Sequence, residues 1–89
     1  MQRYHLLLEK KALKQLNRLD PHLRNRILSS LYTLRDEGFS RKLGIVKLKG
    51  FKNQYRLRVG KHRVLFELGP GKSVFVFAIA TRKTPTRRN

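Results

Sequence analysis

The run from Tyr55 to Phe66 alternates apolar and basic residues on both sides of a Gly-Lys pair. Strict alternation is strand periodicity, and a two-residue interruption containing glycine suits a tight hairpin turn. With Gly60 and Lys61 at the turn, Val59 faces His62, Arg58 faces Arg63, Leu57 faces Val64 and Tyr55 faces Phe66. Tyr55, Leu57, Val59, Val64 and Phe66 then share one face, with Arg56, Arg58 and Arg63 on the other. Like charges directly opposite each other weaken a sheet. Stability gives no reason for this pair, and a polyanionic partner does.

Composition points the same way. The 89 residues include 22 Lys plus Arg against 5 Asp plus Glu, a formal charge of +17. Such a balance favours association with nucleic acid or another acidic surface and says nothing of fold. The 39% of hydrophobic residues suffices for one small core, so residues 1–89 read as a single domain with 82–89 as a basic tail. The sequence has no cysteine, which excludes disulfides and thiolate metal sites and fits a reducing compartment. No apolar run approaches the roughly 20 residues that span a bilayer. Leu6 to Leu8 is too short for a signal peptide, so a cytoplasmic protein without a membrane partner is expected.

Ahead of the hairpin, Arg3 to about Leu8 reads as a first strand. From Lys10 the period changes, with Ala12, Leu13, Leu16 and Leu19 at helical spacing. Lys10, Lys11, Lys14 and Arg18 fall between them, as a solvated face or as contacts to RNA or an acidic protein. Asp20 offers an N-cap and Pro21 a first helical residue for a second helix. Leu23, Ile27, Leu28, Leu31 and Leu34 form its apolar stripe and Gly38 its stop. Phe39 to Gly50 fits neither period. Gly69 to Lys72 carries turn chemistry, with Pro70 and Gly71 suited to the centre of a type II turn. A last strand runs from Ser73 to Ala80. The expected fold is therefore α+β: an N-terminal strand, a helical hairpin and a three-stranded antiparallel meander.

Placing Gly69 opposite Lys72 sets Phe66 against Phe75, Val64 against Phe77 and Arg63 against Ala78. Phe75, Phe77 and Ile79 then belong to the core, while Val76, Ala78, Ala80 and Arg82 join the arginine face. Arg56, Arg58, Arg63 and Arg82 converge over a shallow floor of Ala78 and Ala80. Guanidinium groups stay charged and bind phosphate bidentately, which suits a phosphodiester. Alternation puts His62 on the core side near the turn, where an ordinary hydrogen bond is expected. Glu67 falls on the arginine face near Gln54, where an ion pair with an arginine is expected.

These segments together resemble a known family. Leu48-Lys49-Gly50, Tyr55 to Gly60 and His62 to Phe66 are similar to the core pattern of the RelE/ParE toxin superfamily. Ala12-Leu13-Lys14-Gln15-Leu16 and Ala80-Thr81-Arg82-Lys83 fit the same pattern, so the likeness covers nearly the whole chain. RelE-type members are mRNA interferases that cut in the ribosomal A site. An antitoxin holds them inactive, and the toxin–antitoxin complex represses its own operon. ParE-type members share the fold and poison DNA gyrase.

The resemblance implies a metal-independent, cofactor-free endoribonuclease with Arg56, Arg58, Arg63 and Arg82 as its catalytic residues. It also implies RNA contacts from Lys47, Lys49, Lys61, Lys83, Arg87 and Arg88. The implied partners are a cognate antitoxin, the ribosome with A-site message, and operator DNA only through the antitoxin complex. The implied reaction is attack of a ribose 2′-OH on the adjacent phosphate. Two departures bear on proton transfer. Arginines stand at positions 56 and 58, where many RelE-type sequences have lysines, and an arginine is a poor general base. A tyrosine after the last arginine is also common in RelE, and none follows Tyr55 here. His62 is the possible acid/base, since histidine can titrate near neutrality. A catalytically inactive nucleic-acid-binding module remains the third reading beside the RelE and ParE types.

Overall fold

The computed structural model describes residues 3–81. Arg82, Lys83, Arg87 and Arg88 lie outside the described residues. The order of elements is β1 (His5–Leu8), α1 (Lys10–Asn17), α2 (Pro21–Glu37), β2 (Gly44–Lys47), β3 (Gln54–Val59), β4 (His62–Gly69) and β5 (Ser73–Thr81). The five strands form one mixed sheet in the order β1-β5-β4-β3-β2, with β1 parallel to β5 and the other pairs antiparallel.

The helix boundaries follow their caps. The Asp20 carboxylate accepts from the Leu23 N–H at 3.0 Å, and Pro21 follows where its missing donor is not needed. Gly38, at φ 80°, ends α2. Ala12 and Leu16 of α1 and Ile27, Leu31 and Leu34 of α2 close over Leu57, Val59, Val64, Phe66, Val74, Val76 and Ile79 of the sheet. Tyr55 stacks on Phe66 with ring centroids 5.5 Å apart, and Phe39 meets both rings edge-on. Leu13 departs from the expected stripe and is 46% exposed.

Two features of the sheet differ from expectation. Gly44–Lys47, in the stretch that fits neither period, is the edge strand β2, with Ile45 opposite Leu57 and Val46 opposite Arg56. The second hairpin has a different register. Lys72 adopts φ 56°, which extends the loop to three residues and sets Gly69 opposite Ser73. One residue of slip exchanges faces. Phe66 therefore pairs with Val76 and Glu67 with Phe75, so Val74 and Val76 enter the core and Phe75 leaves it. The Phe75 ring covers Gly69, where an added Cβ would overlap it. A bulge at Phe77 then restores the faces, pairing Leu65 with Ala78, Val64 with Ile79 and Arg63 with Ala80. Phe77, expected in the core, is the bulged residue and is half-buried.

β5 pairs with β1 only from Ser73 to Val76, so its C-terminal half needs another partner on that edge. α1 supplies it: the Ile79 N–H donates to Gln15 Oε1 at 2.7 Å. Replacing Gln15 by Met keeps the side-chain length and removes the acceptor. The expected loss is about 1 kcal/mol of unfolding free energy, read as a lower denaturant midpoint with an unchanged slope. Gln15→Glu, which keeps an acceptor, should lie closer to wild type.

Candidate functional site

The first hairpin forms as its alternation dictates. Val59 pairs with His62, Arg58 with Arg63, Leu57 with Val64 and Tyr55 with Phe66. Gly60 takes φ 60° while Lys61 keeps a negative φ, which fits a II′ turn led by glycine. Leu57 and Val64 are fully buried beneath the helices, so the alternate residues Arg56, Arg58 and Arg63 stand on the uncovered face. Arg58 is exposed, and Arg56 and Arg63 are half-buried.

These residues surround a cavity of about 180 Å³ lined by Arg56, Arg58, Gly60, Lys61, His62 and Arg63. It sits at the turn end of the hairpin rather than over the alanines. Ala78 and Ala80 do lie on the arginine face, opposite Leu65 and Arg63, but Val76 belongs to the core. Of the four arginines expected to converge, the structure brings together Arg56, Arg58 and Arg63; the fourth, Arg82, is outside the described residues.

His62 faces Val59 on the helix side and also lines the cavity. Its Nδ1 is buried and has no hydrogen-bond partner among the described residues, in place of the ordinary bond expected there. Glu67 lies opposite Gln54, as expected, but forms no ion pair with an arginine among the described residues. Lys61 is exposed at the turn. Lys47 is engaged locally, donating from Nζ to the Phe51 carbonyl at 2.9 Å, and Lys49 is exposed beside it. One cation escaped the sequence reading: Arg26 of α2, whose Nη1 lies 3.3 Å from where a Gly60 side chain would begin. Helical spacing shows Arg26 as an ordinary surface residue, and only the packing of α2 brings it to the turn.

The acids are elsewhere. Asp36 bonds Arg35 at 2.8 Å and Glu37 meets Lys42 at 3.2 Å, both at the far end of α2. The hydrogen bond from Arg35 holds the Asp36 carboxyl below the usual carboxylate range, and the same bond raises the Arg35 guanidinium. The cavity thus has four cationic side chains and no carboxylate in its lining. Its chemistry is that of a phosphodiester or another compact anion held by several N–H donors.

A five-stranded mixed sheet with two helices on one face and a cationic hairpin on the other defines a small toxin-like fold. The profile described as the ParE toxin of type II toxin–antitoxin systems, parDE, matches residues 6–85. The chain belongs to this toxin family, within the RelE/ParE superfamily. It is similar to the toxin in the archaeal RelE–RelB complex of Pyrococcus horikoshii OT3, at 24% identity and TM-score 0.78, over 92% of this chain and 98% of that one. A second likeness is to the RelB–RelE antitoxin–toxin complex of Methanococcus jannaschii, at 30% identity and TM-score 0.75, over 86% and 91%. The isolated E. coli RelE toxin shares the fold at 20% identity and TM-score 0.76, over 94% and 89%. No curated protein sequence matches the chain.

The Arg58–Arg63 pair has a measurable signature. Arg58→Glu turns a like-charge cross-strand pair into an opposite-charge one, so the folded protein should gain up to about 1 kcal/mol. An unfolding midpoint at or below the wild-type value would show that the pair stores no repulsion.

Proposed function

We propose that this toxin is a metal-independent mRNA endonuclease that acts in the ribosomal A site and is held inactive by a cognate antitoxin. The observation that carries the reading is the cavity at the β3–β4 turn, where Arg58 and Arg63 face each other with Arg56 and Lys61 beside them. Three guanidinium groups on one rigid hairpin suit the added charge of a phosphate passing through its pentacoordinate state. The message's 2′-oxygen attacks the adjacent phosphorus, and the bond from phosphorus to the 5′-oxygen breaks. The products are a 2′,3′-cyclic phosphate and a free 5′-hydroxyl. One proton leaves the 2′-hydroxyl and one reaches the departing 5′-oxygen. His62 is the one imidazole in the lining, and imidazole can both take up and release a proton at working pH.

Antitoxin binding is supported by likeness to toxins solved with RelB in two archaea. The cytoplasm is the compartment this reading requires. Among the described residues no helix is long and apolar enough to cross a membrane.

One finding favours a second reading: the matching family carries the ParE description. A ParE-type action would target DNA gyrase and use the basic hairpin against a protein. Tightly controlled expression with primer extension of messages, with and without ribosomes, separates the two. The interferase reading expects ribosome-dependent cuts within codons, weakened about 100-fold or more by Arg63→Ala, in line with loss of one oxyanion-stabilising donor. Growth arrest with intact messages and DNA-damage signalling would replace it with the gyrase reading.

A further inference from the structure

The cavity at the β3–β4 turn holds more positive charge than one diester of an RNA backbone neutralises. Arg56, Arg58, Arg63 and Lys61 line it, and the guanidinium of Arg26 reaches Gly60 from α2. All five acids of the chain, Glu9, Asp20, Asp36, Glu37 and Glu67, are outside that lining. Among the described residues the side chains of Arg56, Arg58 and Lys61 have no ion-pair or hydrogen-bond partner. The arginines stay charged at any working pH, and strand register holds Arg58 opposite Arg63.

The donors also outnumber what a diester accepts. A backbone diester has one negative charge and two non-bridging oxygens. Each guanidinium can engage two oxygens at once, and three guanidinium groups share this cavity with an ammonium. A terminal phosphate presents three acceptor oxygens and carries nearly two charges above its second pKa of about 6. At about 180 Å³ the cavity is smaller than the roughly 300–1,000 Å³ of pockets for drug-sized ligands. It takes the phosphate group and leaves anything attached to that group outside.

We infer that this cavity prefers a doubly charged terminal phosphate, on a 3′-phosphorylated RNA end or as inorganic phosphate, over a backbone diester. The inference deepens the proposed cleavage site and rests on that reading only for naming an RNA end as a source. In that reading the pentacoordinate phosphorus also carries two negative charges once the attacking oxygen has lost its proton. Complementarity to the transition state and retention of phosphate ends then share one cause. Phosphate ends compete with intact message for the cavity.

The test is calorimetric titration of the full chain at fixed ionic strength, well above the second phosphate pKa of about 6. The probes are inorganic phosphate, adenosine 3′-monophosphate and diethyl phosphate. Both dianions should bind at least about tenfold more tightly than the diester. A formal charge of +17 draws dianions to any surface, so two variants that each lose two charges locate the effect. Arg58→Ala with Arg63→Ala should abolish the preference, while Lys10→Ala with Lys11→Ala on α1 should keep it. Removing both arginines also removes a like-charge cross-strand pair, so the fold should hold, and a phosphate-free thermal melt checks this. Tighter binding of adenosine 3′-monophosphate than of phosphate supports the site with an RNA end as its source; the reverse supports it with free phosphate. Equal affinity for dianions and diester, absence of binding, or a preference that survives loss of the arginines overturns it. If messages stay intact while the arginines still confer the preference, the endonuclease reading fails and the phosphate site stands.

Discussion

Closure of one sheet face by two short helices is the constraint on which the rest of the molecule depends. Leu57, Val64, Phe66, Val74 and Val76 are fully buried under Ile27, Leu31, Leu34 and Ala12. Side chains alternate along a strand, so burying this set leaves its neighbours nowhere to go but the uncovered face. The arginines of β3 and β4 are held there by the packing beneath them. Removal of a core residue would loosen the cationic face along with the fold, which is why variants at Arg58 and Arg63 report on function more cleanly than variants below them.

The first hairpin was legible because three independent signals agree in it: alternation, a glycine-led two-residue turn, and a polar–apolar contrast strong enough to fix register. The second hairpin lacked the last of these. β5 is apolar from Val74 to Ala80, so its sequence does not distinguish inside from outside. A left-handed lysine at 72 and a bulge at Phe77, neither of which has a sequence signature, decided the pairing. The two irregularities cancel by Ala78, so the residues opposite Leu65 and Arg63 lie on the expected faces although Phe75 and Val76 do not. β2 was hidden for another reason. Four residues at an edge, one of them glycine and three of them exposed, give too short and too mixed a pattern to read.

The cavity at the β3–β4 turn was legible as a set of residues and not as a shape. Arg56, Arg58 and Arg63 followed from alternation, whereas the inclusion of His62 and the approach of Arg26 depend on how the turn packs against α2. The buried Nδ1 of His62 is notable in this setting. A buried polar atom without a partner is costly unless a ligand or proton movement uses it.

Charge in this chain is distributed between two ends of the sheet. Near the start of β5, the Arg35–Asp36 and Lys42–Glu37 pairs lie at the end of α2, and the Arg35 carbonyl accepts from the Arg3 and Tyr4 N–H groups. Near the end of β5, arginines oppose each other across a ladder and lysines repeat along a helix. The first end satisfies itself. At the second, like charges lie close together, and an anion that binds the folded chain there stabilises it by mass action. Any acidic partner that covers the same charges would stabilise the folded chain in the same way.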